Sequence, residues 1–78
     1  MVRSEVLEKV QKVFCDVPGN DDIVLTETTS AQDVDEWTSL AQAQILTAIE
    51  NELGMRFSLK DIMSIRTVGD IMNTIMAH

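Results

Sequence analysis

The stretch Asp35-Glu36-Trp37-Thr38-Ser39-Leu40 joins an acidic, irregular segment to the apolar-periodic run Leu40–Leu53. Ser39 stands where the loop stops and helical spacing begins, so it sits at or beside a helix N-terminus. Its hydroxyl is then close to unpaired backbone N–H groups and to the positive end of the helix dipole. A phosphate diester is well accommodated at such a place. A plainer reading is equally open at this point, because Ser and Thr are ordinary N-caps.

Downstream of this junction the spacing predicts a helix over about 39–53. Ala43, Ile45, Leu46, Ile49 and Leu53 form its apolar face, and Gln42, Gln44, Glu50, Asn51 and Glu52 its wet face. Gly54 follows as a natural C-terminal stop. Upstream, residues 18–38 lack helical periodicity. Asp16, Asp21, Asp22, Glu27, Asp33, Asp35 and Glu36 fall between positions 16 and 36 with no Lys or Arg among them. The interspersed Ile23, Val24, Leu25 and Val34 predict an ordered loop packed over the bundle, with Ile23 and Leu25 spaced to point one way. Ser30-Ala31-Gln32-Asp33 has the spacing of a single capped turn.

The chain opens with Val6, Val10, Val13, Phe14 and Val17 at helical spacing and Leu7 at the edge of the stripe. A first helix over about 4–16 follows, capped by Ser4 and stopped by Pro18-Gly19-Asn20. After Gly54, Met55 and Phe57 alternate as an extended crossing that drops both into the core. Ser58 then opens a short helix through about Met63. Thr67-Val68-Gly69-Asp70 repeats the device, a cap with an acidic residue three later. The last helix, about 67–76, buries Val68, Ile71, Met72, Ile75 and Met76. The fold expected is all-α: three main helices, a short one before the last, and a long ordered loop between helices one and two, in one domain spanning 1–78.

Composition narrows the function. Seventy-eight residues carry a net charge of −7, from thirteen acidic and six basic side chains. Such a surface repels phosphate backbones and anionic lipid, which disfavours nucleic-acid and membrane-surface partners and favours proteins with basic faces. No apolar run approaches a membrane span and no signal-like N-terminal segment is present, which reads as cytoplasmic. Size and charge favour a monomer. Catalytic groups are sparse. The single histidine, His78, is terminal, and the single cysteine, Cys15, has no base or metal-ligand spacing beside it. Cys15 reads as a small buried hydrophobe. Asp21-Asp22 and Asp35-Glu36 lie in a solvated loop without a cleft to desolvate them, so acid–base chemistry has no support. No glycine-rich phosphate loop occurs.

Three segments together resemble the acyl carrier protein family of phosphopantetheine-binding carriers. They are Asp33-Val34-Asp35-Glu36-Trp37-Thr38-Ser39-Leu40, Ala48-Ile49-Glu50-Asn51-Glu52-Leu53-Gly54-Met55-Arg56-Phe57, and Arg66-Thr67-Val68-Gly69-Asp70-Ile71. The likeness spans nearly the whole chain. It implies that Ser39 carries a 4′-phosphopantetheine arm added from coenzyme A by a separate phosphopantetheinyl transferase. Ser39 is then an attachment site and the chain is a carrier, not an enzyme. The resemblance further implies a free-standing carrier that holds acyl-type intermediates as thioesters and delivers them to the enzymes of fatty-acid, polyketide or related biosynthesis. An aminoacyl or peptidyl carrier of the same fold, or an unmodified acidic interaction module, are the alternatives.

Around Ser39, Leu40 is placed to shield the base of the arm, and Trp37 is placed either to flank it or to anchor the loop onto the bundle. Thr38 stands where the family motif usually has Asp. It can still cap the helix, but the charge that would pair with a basic transferase group is gone. Gln44 and Asn51 occupy positions that often carry carboxylates in the family, which leaves Glu36, Glu50 and Glu52, with Gln44, as the expected docking residues. A core of Ile, Leu and pliable Met has two readings, a bundle that opens to admit an acyl chain or Met as gap filler.

Overall fold

The computed structural model describes residues 2–19 and 22–77. Four helices account for its regular structure: α1 (Arg3–Asp16), α2 (Ser39–Leu53), α3 (Leu59–Ser64) and α4 (Val68–Met76). Among the described residues there is no strand, only a single antiparallel bridge between Ser30 and Thr67. α1 packs against both α2 and α4 and is the hub of the bundle. Its buried stripe is Val6, Val10, Val13 and Phe14, while Leu7, Cys15 and Val17 lie against the edge of the core.

The start of α1 differs from expectation. Its cap is Val2, in extended backbone conformation, with no side-chain cap bond; Ser4 lies exposed inside the first turn. The Val2 carbonyl accepts from the amides of Glu5 and Val6 at 3.1 and 3.2 Å. What ties this end down is Arg3, whose guanidinium pairs with the Glu27 carboxylate and donates to Asn73 Oδ1 at 2.8 Å. One side chain thereby joins α1, the long loop and α4.

The long loop is folded onto the bundle. Ile23, Leu25, Val34 and Trp37 are buried, and Val24, between the first two, is 79% exposed, as alternation along an extended segment requires. Gln11 on α1 grips the loop backbone from both sides of its amide: its Nε2 donates to the Ile23 carbonyl and its Oε1 accepts from the Leu25 amide at 2.8 Å. Further along, the amides of Val68 and Gly69 donate to the carbonyls of Thr29 and Glu27, both at 2.8 Å, so the loop also closes over the start of α4. The turn expected at Ser30–Asp33 is present, with Asp33 Oδ2 accepting from the Ser30 amide and hydroxyl. Asn20 and Asp21, part of the expected stop and acidic pair, lie outside the described residues, as do Met1 and His78.

α2 has the expected bounds but is rotated slightly from the expected face. Ala41, Ile45, Leu46 and Ile49 are buried, and Ala43 is exposed. Ala41, Ile45 and Ile49 follow one another at four-residue steps along the line facing α1, and Ala43 falls on the far side. Gly54 ends the helix at φ 64°, a left-handed conformation that glycine adopts without a Cβ penalty. Both later starts carry complete capping boxes, Ser58 with Asp61 and Thr67 with Asp70. α3 itself buries no residue; Phe57 before it and Ile65 after it fix the crossing. Met55 is only partly buried. Met76, expected inside, is 42% exposed in the last turn with its sulfur against the Arg3 guanidinium. Of the described methionines only Met72 is fully buried, so the core is built of aliphatic side chains with Phe14, Trp37 and Phe57, without a pliable methionine layer.

Candidate functional site

The junction at residues 37–41 is held from inside. Trp37 is 4% exposed, and its ring meets Phe14 of α1 edge-to-face at 4.9 Å between centroids. Its indole N–H donates to Gln42 Oε1 at 3.0 Å, which satisfies the one polar atom that burial would otherwise strand. Trp37 is therefore the loop's anchor. The alternative placement, a ring flanking an arm on Ser39, does not hold, because the ring faces the core.

With Trp37 fixed, the next residue turns out of the core and starts the helix. Thr38 is extended (φ −87°, ψ 173°) and is the N-cap of α2; its Oγ1 accepts from the Ala41 amide at 3.2 Å. Its carbonyl accepts from the Gln42 amide at 2.8 Å. Threonine thus does the capping work of the missing aspartate. The plainer reading of Ser39 as the cap falls with it. Ser39 is the first helical residue, its side chain exposed, and its hydroxyl takes no part in capping. The two open amides of the first turn are those of Ser39 and Leu40, since Ala41 and Gln42 donate to Thr38.

Leu40 is 71% exposed immediately beside the serine. A leucine at the second position of a helix gains nothing from the core in that orientation, so it is available to cover something bound at its neighbour. An exposed primary hydroxyl, open amides and an exposed leucine fit a phosphodiester-linked arm.

The carboxylates expected to dock partners are less free than their positions in the chain imply. Glu50 is half-buried, and its Oε2 accepts from the Phe57 amide at 2.7 Å, fastening the crossing back onto α2. Glu52 lies 3.8 Å from Lys9 of α1, an exposed and weak pair. Glu36 is half-buried and also has a partner within the fold. Gln44 is exposed. None of this was legible from residue type: the bond between Glu50 and Phe57 depends on where the crossing runs.

Elsewhere little chemistry gathers. No group of His, Cys, Asp and Glu among the described residues could hold a metal ion. Cys15 is half-buried, with the Gln11 amide donating to its sulfur at 3.1 Å. Among the described residues no helix is long and apolar enough to cross a membrane. The Arg3 guanidinium, hydrogen-bonded to Glu27, holds that carboxyl below its usual value of 4.5.

Comparison with known proteins meets this geometry. Residues 8–75 match the family described as "Phosphopantetheine attachment site". An acyl carrier protein of Saccharopolyspora erythraea is 29% identical over 72 residues, 92% of this chain and 76% of that protein. The solution structure of a holo acyl carrier protein from Geobacter metallireducens superposes with a TM-score of 0.84 at 31% identity, covering 91% of this chain and 82% of the other. A match across nearly the whole bundle, on the fold of a carrier solved in its holo form, leads to one conclusion: the chain belongs to the acyl carrier protein family, carriers rather than enzymes, whose prosthetic group is phosphopantetheine.

Proposed function

We propose that Ser39 is the attachment residue, and that the protein works as a monomeric carrier of acyl-type intermediates. The observation that carries this reading is the division of labour at the head of α2. Thr38 holds the cap, and the adjacent Ser39 hydroxyl is left exposed beside two open amides. In the loading reaction Ser39 Oγ forms a bond to the phosphorus of the pantetheine phosphate of coenzyme A. The pyrophosphate bond breaks, 3′,5′-ADP leaves, and the serine proton is taken up by the transferase or solvent. The arm supplies the terminal thiol on which acyl groups ride as thioesters. The chain's own residues would present it: the open Ser39 and Leu40 amides would hold the phosphate, the exposed Leu40 would cover the base of the arm, and Trp37 fixes the junction from within.

The carrier's cargo is chosen by the enzymes that load and unload it, in fatty-acid, polyketide or related biosynthesis. Incubation with coenzyme A and a phosphopantetheinyl transferase, followed by intact mass spectrometry, tests the assignment. Wild type is expected to gain one phosphopantetheine and Ser39→Ala none. Equal gain by Ser39→Ala, or none by wild type, overturns it.

A further inference from the structure

A groove of about 380 Å³ opens between the Ser30–Gln32 turn of the loop, the first turns of α2 and the link from α3 to α4. The buried Ile65 contributes to it, but Ser30, Gln32, Gln42, Arg66 and Thr67 make most of its lining polar. Gln42 follows Ser39 by three residues on α2, so the Cβ atoms of the two lie about 5–6 Å apart on neighbouring turns. Its Oε1 accepts from the Trp37 indole, which leaves its NH2 group to donate. Arg66 is exposed, and its guanidinium pairs with no carboxylate among the described residues, although the chain carries a net charge of −7. The acidic side chains of these segments are tied to nearer groups. Asp70 Oδ2 accepts from the backbone amides of Arg66 and Thr67 at 2.9 and 3.1 Å, and Asp33 Oδ2 accepts from the Ser30 amide and hydroxyl.

We propose that Arg66 selects the cargo: in this groove it holds acyl groups that carry a free carboxylate, with the Gln42 NH2 group as a second donor. The inference rests on Ser39 being the attachment residue and adds the chemical class of what the arm bears. A guanidinium offers a carboxylate two parallel N–H donors in one plane. The tether removes most of the cost of bringing the two together, because a group on a short flexible arm is held at about millimolar effective concentration around its anchor. A plain alkyl chain is the poorer occupant, since it covers hydroxyl, amide and guanidinium groups without replacing their hydrogen bonds to water. Elsewhere the acidic surface repels an anionic cargo, so an unpaired cation one turn from the anchor decides where that cargo rests.

The test compares three forms of isotope-labelled protein: the arm with its free thiol, its malonyl thioester and its butyryl thioester. Each is made with a phosphopantetheinyl transferase and the matching coenzyme A derivative, and each is checked by intact mass. The two acyl groups differ chiefly in the terminal carboxylate. Solvent exchange of the Arg66 Nε–H, read by NMR, should be about threefold slower in the malonyl form than in the other two, as an exposed ion pair supports. In Arg66→Gln, which leaves the backbone bond to Asp70 in place, the malonyl-specific shift of the Gln42 side-chain amide should vanish. Equal exchange in all three forms overturns the proposal by leaving the guanidinium indifferent to cargo. Slowest exchange in the butyryl form overturns it in favour of an apolar occupant. A wild type that gains no arm overturns the attachment assignment as well, whereas a loaded wild type without the malonyl effect overturns this proposal alone.

Discussion

At the scale of single residues, the site depends on which of two adjacent hydroxyls caps α2. Thr38 does so through its bond from the Ala41 amide. Thr38→Ala should therefore cost about 1 kcal/mol, lowering Tm by about 4–8 °C in a domain of this size. Thr38→Asp should keep the cap and most of the stability. Ser39→Ala removes an exposed hydroxyl with no capping role and should shift stability by less than about 0.5 kcal/mol while abolishing modification. Thermal melts of the three variants check this, and a loss for Ser39→Ala as large as that for Thr38→Ala would contradict the division of labour. Glu50 belongs at this scale as well. Glu50→Ala removes the acceptor of the Phe57 amide in a half-buried setting and should cost about 1–3 kcal/mol. A charge-reversing Glu50→Lys thus reports on folding as much as on docking, and slower transfer by that variant says little about partners.

At the scale of elements, α4 and the long loop hold each other. A Cβ on Gly69 would stand 2.8 Å from the Glu27 carbonyl oxygen, a backbone atom that cannot swing aside. Gly69→Ala should force loop and helix apart, break the bond from the Gly69 amide, and destabilise by about 1–3 kcal/mol. Gly54→Ala is a useful contrast. Nothing lies within 4 Å of its added Cβ, and its cost, about 1–2 kcal/mol, comes from the left-handed backbone alone. Hydrogen exchange separates the two. Gly69→Ala should speed exchange at Leu25 and Val68 on either side of the loop–α4 contact, whereas Gly54→Ala should speed it around the end of α2. The packed loop itself predicts slow exchange at Leu25, Val68 and Gly69 in wild type; uniformly fast exchange through 22–38 would show that the loop is not docked in solution.

At the scale of the whole molecule, Arg3 pairs across chain segments with Glu27 and lowers its titration. Because Glu27 is held below its usual value in the folded state by the Arg3 guanidinium, the pair stabilises above the unfolded value of 4.5. That contribution is lost as pH falls through the lowered folded value. Glu27→Gln should consequently melt lower than wild type near neutral pH, with the gap closing in acid. A constant gap across that range would mean that the loss arises from packing and not from ionisation. Since both side chains are largely exposed, the gap should also shrink in high salt.

Much of this fold was legible in order along the chain. The bounds of α2, both capping boxes, the glycine stop at Gly54 and the anchoring of Ile23 and Leu25 are local matters, set by apolar period and by which side chains can bond the first amides of a helix. The same local signals put Ser39 at the start of α2, but its attachment role came from the family resemblance and not from spacing. What the chain order alone could not give was rotation and partnership. Ala41, not Ala43, faces the core because α1 lies on that side, and Arg3, not Ser4, secures the first helix because the loop and α4 arrive beside it. Met76 stays outside and Glu50 is occupied by Phe57 for the same kind of reason. Each of these depends on a residue distant in the chain, so tertiary packing alone decided them.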